Sequence, residues 1–75
     1  MKELLENIIR RLVTNQDEVA INEIIDGSSV VYEVTVAKED VGKVIGKQGR
    51  IAKAIRTVVK AAALKENKHV SVEIM

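Results

Sequence analysis

Four consecutive residues, Gly46-Lys47-Gln48-Gly49, carry the clearest chemical signal in this chain. Paired glycines around a lysine permit a tight turn and leave the backbone uncovered, so that a sugar-phosphate chain can approach closely. A helix opening at Arg50 would add unpaired amides and the positive end of its dipole at the same place. Lys47 and Arg50 would add full charges. An ordinary helical turn capped by glycine would use the same residues, and the tetrapeptide alone leaves both readings open. Its surroundings favour the first. From Val41 to Lys65 the chain carries Lys43, Lys47, Arg50, Lys53, Arg56, Lys60 and Lys65 without one acid. At about 100° per residue, Arg50, Lys53, Arg56 and Lys60 gather on one side of a helix, while Ile51, Ile55, Val58 and Ala62 centre on the opposite side. A charged face is usually just a solvated face, but an all-basic one beside a glycine turn suits a polyanionic partner.

Other chemistries find less to work with. Gly42-Lys43-Val44-Ile45-Gly46-Lys47 superficially resembles a nucleotide-binding P-loop, yet its glycines stand one residue too close, and Gln48 replaces the magnesium-binding hydroxyl. The residues before it follow a helical pattern where a P-loop needs a strand. His69 is the one histidine and has no matching nucleophile, so it reads as a solvated strand-end residue. Ser28 and Ser29 are turn residues, and Glu39 and Asp40 read as dipole partners at a helix start. No enzyme, metal site, cofactor or small-molecule substrate is expected. The absence of cysteine removes disulfides, cysteine-based zinc sites and thiol chemistry.

The elements that must position the glycine turn follow from hydrophobic periodicity. Leu4, Leu5, Ile8, Ile9 and Leu12 share one face of a first helix over residues 2–13, with Glu3, Glu6, Arg10 and Arg11 around the other. Thr14-Asn15-Gln16-Asp17 is polar loop chemistry. Val19, Ile21, Ile24 and Ile25 suggest a strand whose phase the pattern leaves open. Asp26-Gly27-Ser28-Ser29 predicts a hairpin turn and an antiparallel return, because glycine accepts positive φ. In the next strand, Val30 to Ala37, Val30, Tyr32, Val34 and Val36 alternate with Glu33 and Thr35, giving one buried and one wet face. Glu39 and Asp40 suit the first turn of a short helix, Val41, Val44 and Ile45 share its face, and Gly46 ends it. The run Arg50 to Leu64, without glycine or proline and rich in alanine, is the longest helix. Lys65-Glu66-Asn67-Lys68 is a loop, and His69 to Met75 a last strand with Val70, Val72 and Ile74 inward. The order helix-strand-strand-helix-helix-strand predicts an α+β fold with three helices on one face of a three-stranded sheet. Because the last strand returns through two helices, it can lie parallel to the second, which makes the sheet mixed.

Seventy-five residues support one small domain over 1–75 that buries only roughly 60% of its unfolded surface, too little for a deep substrate cavity. A hydrophobic content of 47% and a net charge of +1 argue against disorder. That +1 conceals a division. Residues 1–37 carry three basic and seven acidic side chains, net −4, whereas residues 38–75 carry nine and four, net +5. No run approaches the roughly 20 apolar residues of a membrane span. Charges at Glu3, Glu6, Arg10 and Arg11 interrupt the stretch that a signal peptide would need, so a cytoplasmic location is expected. An amphipathic membrane-surface helix is disfavoured because the apolar face is alanine-rich and lacks Trp and Phe.

Val44-Ile45-Gly46-Lys47-Gln48-Gly49-Arg50, between two helices and after an alternating strand, resembles the KH motif, in which a G-x-x-G loop clamps the backbone of about four nucleotides. The resemblance covers the whole chain. Its element order is similar to the bacterial type II KH arrangement, and the runs Glu39 to Arg50 and Ala54 to Thr57 are similar to KhpA-type single-KH proteins. The resemblance implies single-stranded RNA binding in the bacterial cytoplasm, by an RNA chaperone or post-transcriptional regulator linked to control of cell shape and cell-wall biogenesis. It implies a phosphate clamp of Gly46, Lys47, Gln48 and Gly49, flanked by Arg50 and Lys53, with Lys43 and Arg56 as further RNA contacts. Val41, Val44 and Ile45 become candidates for the apolar groove wall. It also implies a homodimer, or a heterodimer with a larger Jag-like KH protein. Two positions depart from the pattern: Ala52 stands where KH motifs usually place a larger aliphatic residue, and Lys38 where relatives often have proline. The single aromatic, Tyr32, counts against stacking platforms of the RRM kind and suits a module that grips backbone.

The apolar positions of the long helix span roughly 200°, more than the ~100° stripe that covers one sheet. Ala52, Val59 and Ala63 are therefore a candidate dimer seam, with a deeper core as the alternative. A second functional reading stays open: a protein-interaction module that supports a partner KH protein on a ribonucleoprotein or the ribosome.

Overall fold

The computed structural model describes residues 1–74; Met75, the end of the expected last strand, lies outside the described residues. Lys2–Leu12 form α1, with Glu3 in its first turn and Arg10 and Arg11 in its last, each sign opposing the helix dipole. After a short 3₁₀ turn at Gln16–Glu18, Ala20–Asp26 (β1) and Ser29–Thr35 (β2) pair as an antiparallel hairpin. Asp26 stands opposite Ser29, so Gly27 and Ser28 are the whole connection, and Gly27 takes the required positive φ of 61°. A second 3₁₀ turn, Lys38–Asp40, leads into Val41–Ile45 (α2), and the glycine turn then opens Arg50–Leu64 (α3). His69–Ile74 (β3) closes the fold parallel to β2, giving the sheet order β1-β2-β3. The expected mixed sheet and element order are both present. Lys38 enters its turn without proline: Asp40 N–H bonds to Ala37 O at 2.8 Å.

One face of the sheet carries the core. Val30, Tyr32 and Val34 of β2 and Val70 and Val72 of β3 meet Leu5 and Ile9 of α1, Val44 of α2, and Ile55, Val59 and Ala63 of α3. The helical layer covers β2 and β3 but leaves most of the edge strand β1 bare, so Ile25, opposite Val30 on the helix-side face, is 65% exposed, while Ile24, opposite Val31, lies on the other face and is 46% exposed. Tyr32 shows how the uncovered strand still contributes. Its ring is buried, and its hydroxyl donates to Glu23 Oε2 across the β1–β2 pair at 2.7 Å. Burial first, and the Glu23 carboxylate second, push the phenol well above its ordinary pKa.

Two expectations about α3 are corrected. Val58, expected on the apolar face with Ile51, Ile55 and Ala62, is 49% exposed, and the buried residues of α3 are Ala52, Ile55, Val59 and Ala63. The face in contact is thus rotated by roughly 75° from the expected one. The candidate dimer seam of Ala52, Val59 and Ala63 falls with it, because all three lie inside the chain's own core, at 3%, 0% and 1% exposure. The physical reason is that α3 has two adjoining apolar stripes of similar hydrophobicity. The stripe through Ala52, Ile55, Val59 and Ala63 packs inward, and the other lies at the margin of the core, with Ile51 and Ala62 half-buried and Val58 exposed.

Candidate nucleic-acid interface

The glycine turn is built from α2 forward. Gly46 closes that helix by donating its N–H to Gly42 O at 2.8 Å, then takes φ 77° and ψ 175°, a conformation essentially reserved to glycine. The chain thereby doubles back on itself. A Cβ at Gly46 would stand 2.6 Å from Ile51 Cγ1 and 2.8 Å from Ile51 Cβ, so the residue must be glycine for space as well as for dihedral. Gln48 (φ 59°, ψ 26°) and Gly49 (φ 73°, ψ 13°) follow in the left-handed region. For a glutamine this costs about 1–2 kcal/mol, and strain of that kind persists where the surrounding structure imposes it, commonly at ligand clamps.

The consequence is an exposed tip that presents backbone. Gly49 N–H bonds to Gly46 O at 3.2 Å and Arg50 N–H to Lys47 O, which leaves the amides of Lys47 and Gln48 ahead of the first internal acceptor. Both side chains are exposed. Behind them begins the 15-residue α3, with no acid in its first turn and with Arg50 and Lys53 in solvent. Amides, helix dipole and cations therefore act on one spot, which is the arrangement that binds phosphate.

A helix as short as α2 cannot hold its own place. Asp40, expected to be a dipole partner, proves to be its anchor. Its carboxylate is fully buried and accepts Thr14 N–H at 3.1 Å, Asn15 N–H at 2.9 Å and Asn15 Nδ2 at 3.0 Å. Glu39 joins the same cluster by accepting from Asn15 Nδ2 at 2.6 Å. The Asn15 amide, with Thr14, the Asn15 side chain and Lys43 adding to it, holds the Asp40 carboxyl below the usual carboxylate range although burial pushes the other way. The α1–β1 connection is thereby tied to the start of α2.

The expected contact residues separate into four groups. Gly46, Lys47, Gln48, Gly49, Arg50 and Lys53 are brought together at the turn and the first turns of α3. Lys43 and Arg56 are engaged inside the chain: Lys43 Nζ lies 3.5 Å from Asp40 Oδ1 and bonds to Thr14 Oγ1, and Arg56 Nε donates to Val72 O of β3 at 3.2 Å. Val41 and Ile45 are half-buried, as a groove wall needs. Val44 is not available for that role. It is fully buried in the core, packed among residues of α1, α3 and the sheet.

The model of the KhpA/KhpB KH domain matches residues 2–74. The chain belongs to this family. Among its relatives, the RNA-binding protein KhpA of Clostridium acetobutylicum is 63% identical over the full length of both chains. The protein of the same name from Caldanaerobacter subterraneus is 61% identical over the full length of both, and that of Chlamydia trachomatis is 48% identical over all of this chain and 96% of its own. Membership in this non-enzymatic family supports the expectation that the chain is not an enzyme. In this KH domain the residue that sequence reasoning missed is Asp40. An aspartate just before a helix carries a ready local explanation, and nothing nearby in sequence signals partners 25 and 26 residues away.

Proposed function

We propose that the chain is a single-stranded RNA-binding module that grips the RNA backbone with its GKQG turn. The observation that carries the reading is the positive φ shared by Gly46, Gln48 and Gly49 at an exposed tip opening an acid-free helix. Relatives named RNA-binding proteins support it. Phosphates sit on the amides and on Lys47 and Arg50, and bases lie against the half-buried Val41 and Ile45. Such a grip reads backbone first and sequence second, which suits a cytoplasmic RNA chaperone or post-transcriptional regulator. Changing Lys47 and Gln48 together to Asp should abolish binding to a short single-stranded RNA while the circular dichroism spectrum stays unchanged. Unaltered affinity in that variant would remove the turn from the site. Binding should also weaken with salt, by about 0.7 in log affinity per log salt for each phosphate engaged.

Association with a second KH chain is part of the same proposal, on a different surface from the expected seam. On the flank of α3 that faces α1, Val58 is exposed, and Met1, Leu4, Ala61 and Ala62 line a mostly apolar cleft of about 440 Å³. A Val58→Asp change should lower the sedimentation mass of any self-associated form, and a mass that stays high would place the contact elsewhere.

A further inference from the structure

We infer that the RNA strand held at the GKQG turn runs on along α3 and is gripped a second time in a cationic cleft between the end of α3 and the start of β3. This extension rests on the RNA reading above. The cleft has a volume of about 380 Å³ and is lined by Lys60, Leu64, Lys68, His69, Val70 and Ser71. No acid lines it. Glu66, the acid nearest in sequence, instead lines the cleft on the α1 side of the helix.

Three observations connect the cleft to the turn. Arg56 reaches the carbonyl of Val72, which shows that its flank of α3 faces β3, and Lys53 and Lys60 lie on that flank within about 60° of it. This flank of α3 therefore carries no acid between Lys53 and Lys60, about 10 Å at 1.5 Å per residue, with Arg50 in the preceding turn. The backbone around the cleft is also rigid. Asn67 N–H bonds to Leu64 O at 3.2 Å and Lys68 N–H to Ala63 O at 3.1 Å, a Schellman closure with Asn67 left-handed at φ 56°. His69 N–H is held in turn by Ser28 O at 2.9 Å. Lys68 and His69 thus leave the backbone from fixed positions. Finally, the lining is mixed in the way a nucleotide requires. Lys60 and Lys68 supply phosphate partners, and Leu64, 69% exposed, offers an apolar surface for a base or ribose.

The experiment compares oligouridylates of four and ten nucleotides with the wild-type chain and with a Lys60→Glu/Lys68→Glu variant. The expected result is that the wild type binds the ten-mer more tightly than the four-mer. The double substitution should weaken the ten-mer by about tenfold or more, the scale of charge-assisted contacts, and leave the four-mer within about twofold. It should also reduce the ten-mer's salt dependence by about 1.4, two phosphates at ~0.7 each. Both lysines are exposed, and a Lys60→Gln/Lys68→Gln variant with a smaller loss of the same length dependence separates charge removal from charge reversal. Equal effects on both lengths, or none, overturn the second grip and leave the turn assignment standing. No binding of either RNA by the wild type overturns the turn assignment itself. Displacement of the ten-mer by polyglutamate, sensitive to the double substitution but without any length effect for RNA, would reassign the cleft to an acidic protein.

Discussion

The two ends of α3 solve the same steric problem in different ways. At the N-terminus the reversal is spread over three positive-φ residues, Gly46, Gln48 and Gly49, and leaves the amides of Lys47 and Gln48 ahead of the first internal acceptor. At the C-terminus one left-handed residue, Asn67, suffices, and the amides of Glu66, Asn67 and Lys68 are all bonded back to Ala63 or Leu64. The first end presents backbone and carries strain to do so. The second has satisfied its backbone and presents side chains. A site that works through amides needs residues without bulk, whereas one that works through lysine side chains needs only a rigid point of departure.

Substitutions at the glycines test this contrast most strongly. Gly46→Ala should cost about 3 kcal/mol or more in denaturant unfolding, because its dihedral is reserved to glycine and the new methyl would collide with Ile51. RNA affinity should fall with it. Removing the anchor that places α2 ranks next. Asp40→Asn should lower the melting temperature at neutral pH, and the sign of its pH dependence follows from linkage. Because folding holds the Asp40 pKa below its unfolded value near ~3.9, its contribution is present above that pH and is lost as pH falls through the folded value. The difference between wild type and variant should therefore be full at pH 7 and shrink on acidification below about pH 4. A difference that grew on acidification would contradict the assigned hydrogen bonds.

Gly49→Ala should be milder, about 1 kcal/mol, since only its φ of 73° resists a side chain and open space surrounds the Cβ position. Equal costs at Gly46 and Gly49 would erase the distinction between a spatial and a dihedral requirement. The smallest effect belongs to the C-terminal end. Asn67→Gly should change stability by only a few tenths of a kcal/mol, because glycine and asparagine both fit a Schellman closure, and it should leave four-nucleotide RNA binding unchanged. A large loss of that binding would mean that the two ends do not act separately.

Much of the architecture was legible from pattern. The bounds of α3 from Arg50 to Leu64, the Gly27 hairpin and the alternation of β2 depend on residues within a few positions of each other, and local chemistry determines them. The glycine turn was legible for the same reason: two glycines around a lysine between helical patterns constrain the backbone directly. What failed to show was any role that depends on a distant neighbour. Asp40 looked like a helix-start residue until Thr14 and Asn15 came to it. Val44 fitted a groove wall until α2 was laid on the sheet, and Ala52, Val59 and Ala63 fitted an external seam until the same layer covered them. Lys68 looked like part of a plain loop until its backbone was closed onto Ala63.

The amino-acid sequence by itself determined the order of elements, the acid-free character of residues 41–65 and the place where the backbone must be bare, because periodicity, charge and glycine act over short spans. Only the tertiary structure decided which of two apolar stripes on α3 faces inward, and hence which flank carries the cations toward β3. The stripes differ little in hydrophobicity, so the choice depends on how α3 fits among α1, α2 and the sheet, a property of the packed layers and not of either stripe alone.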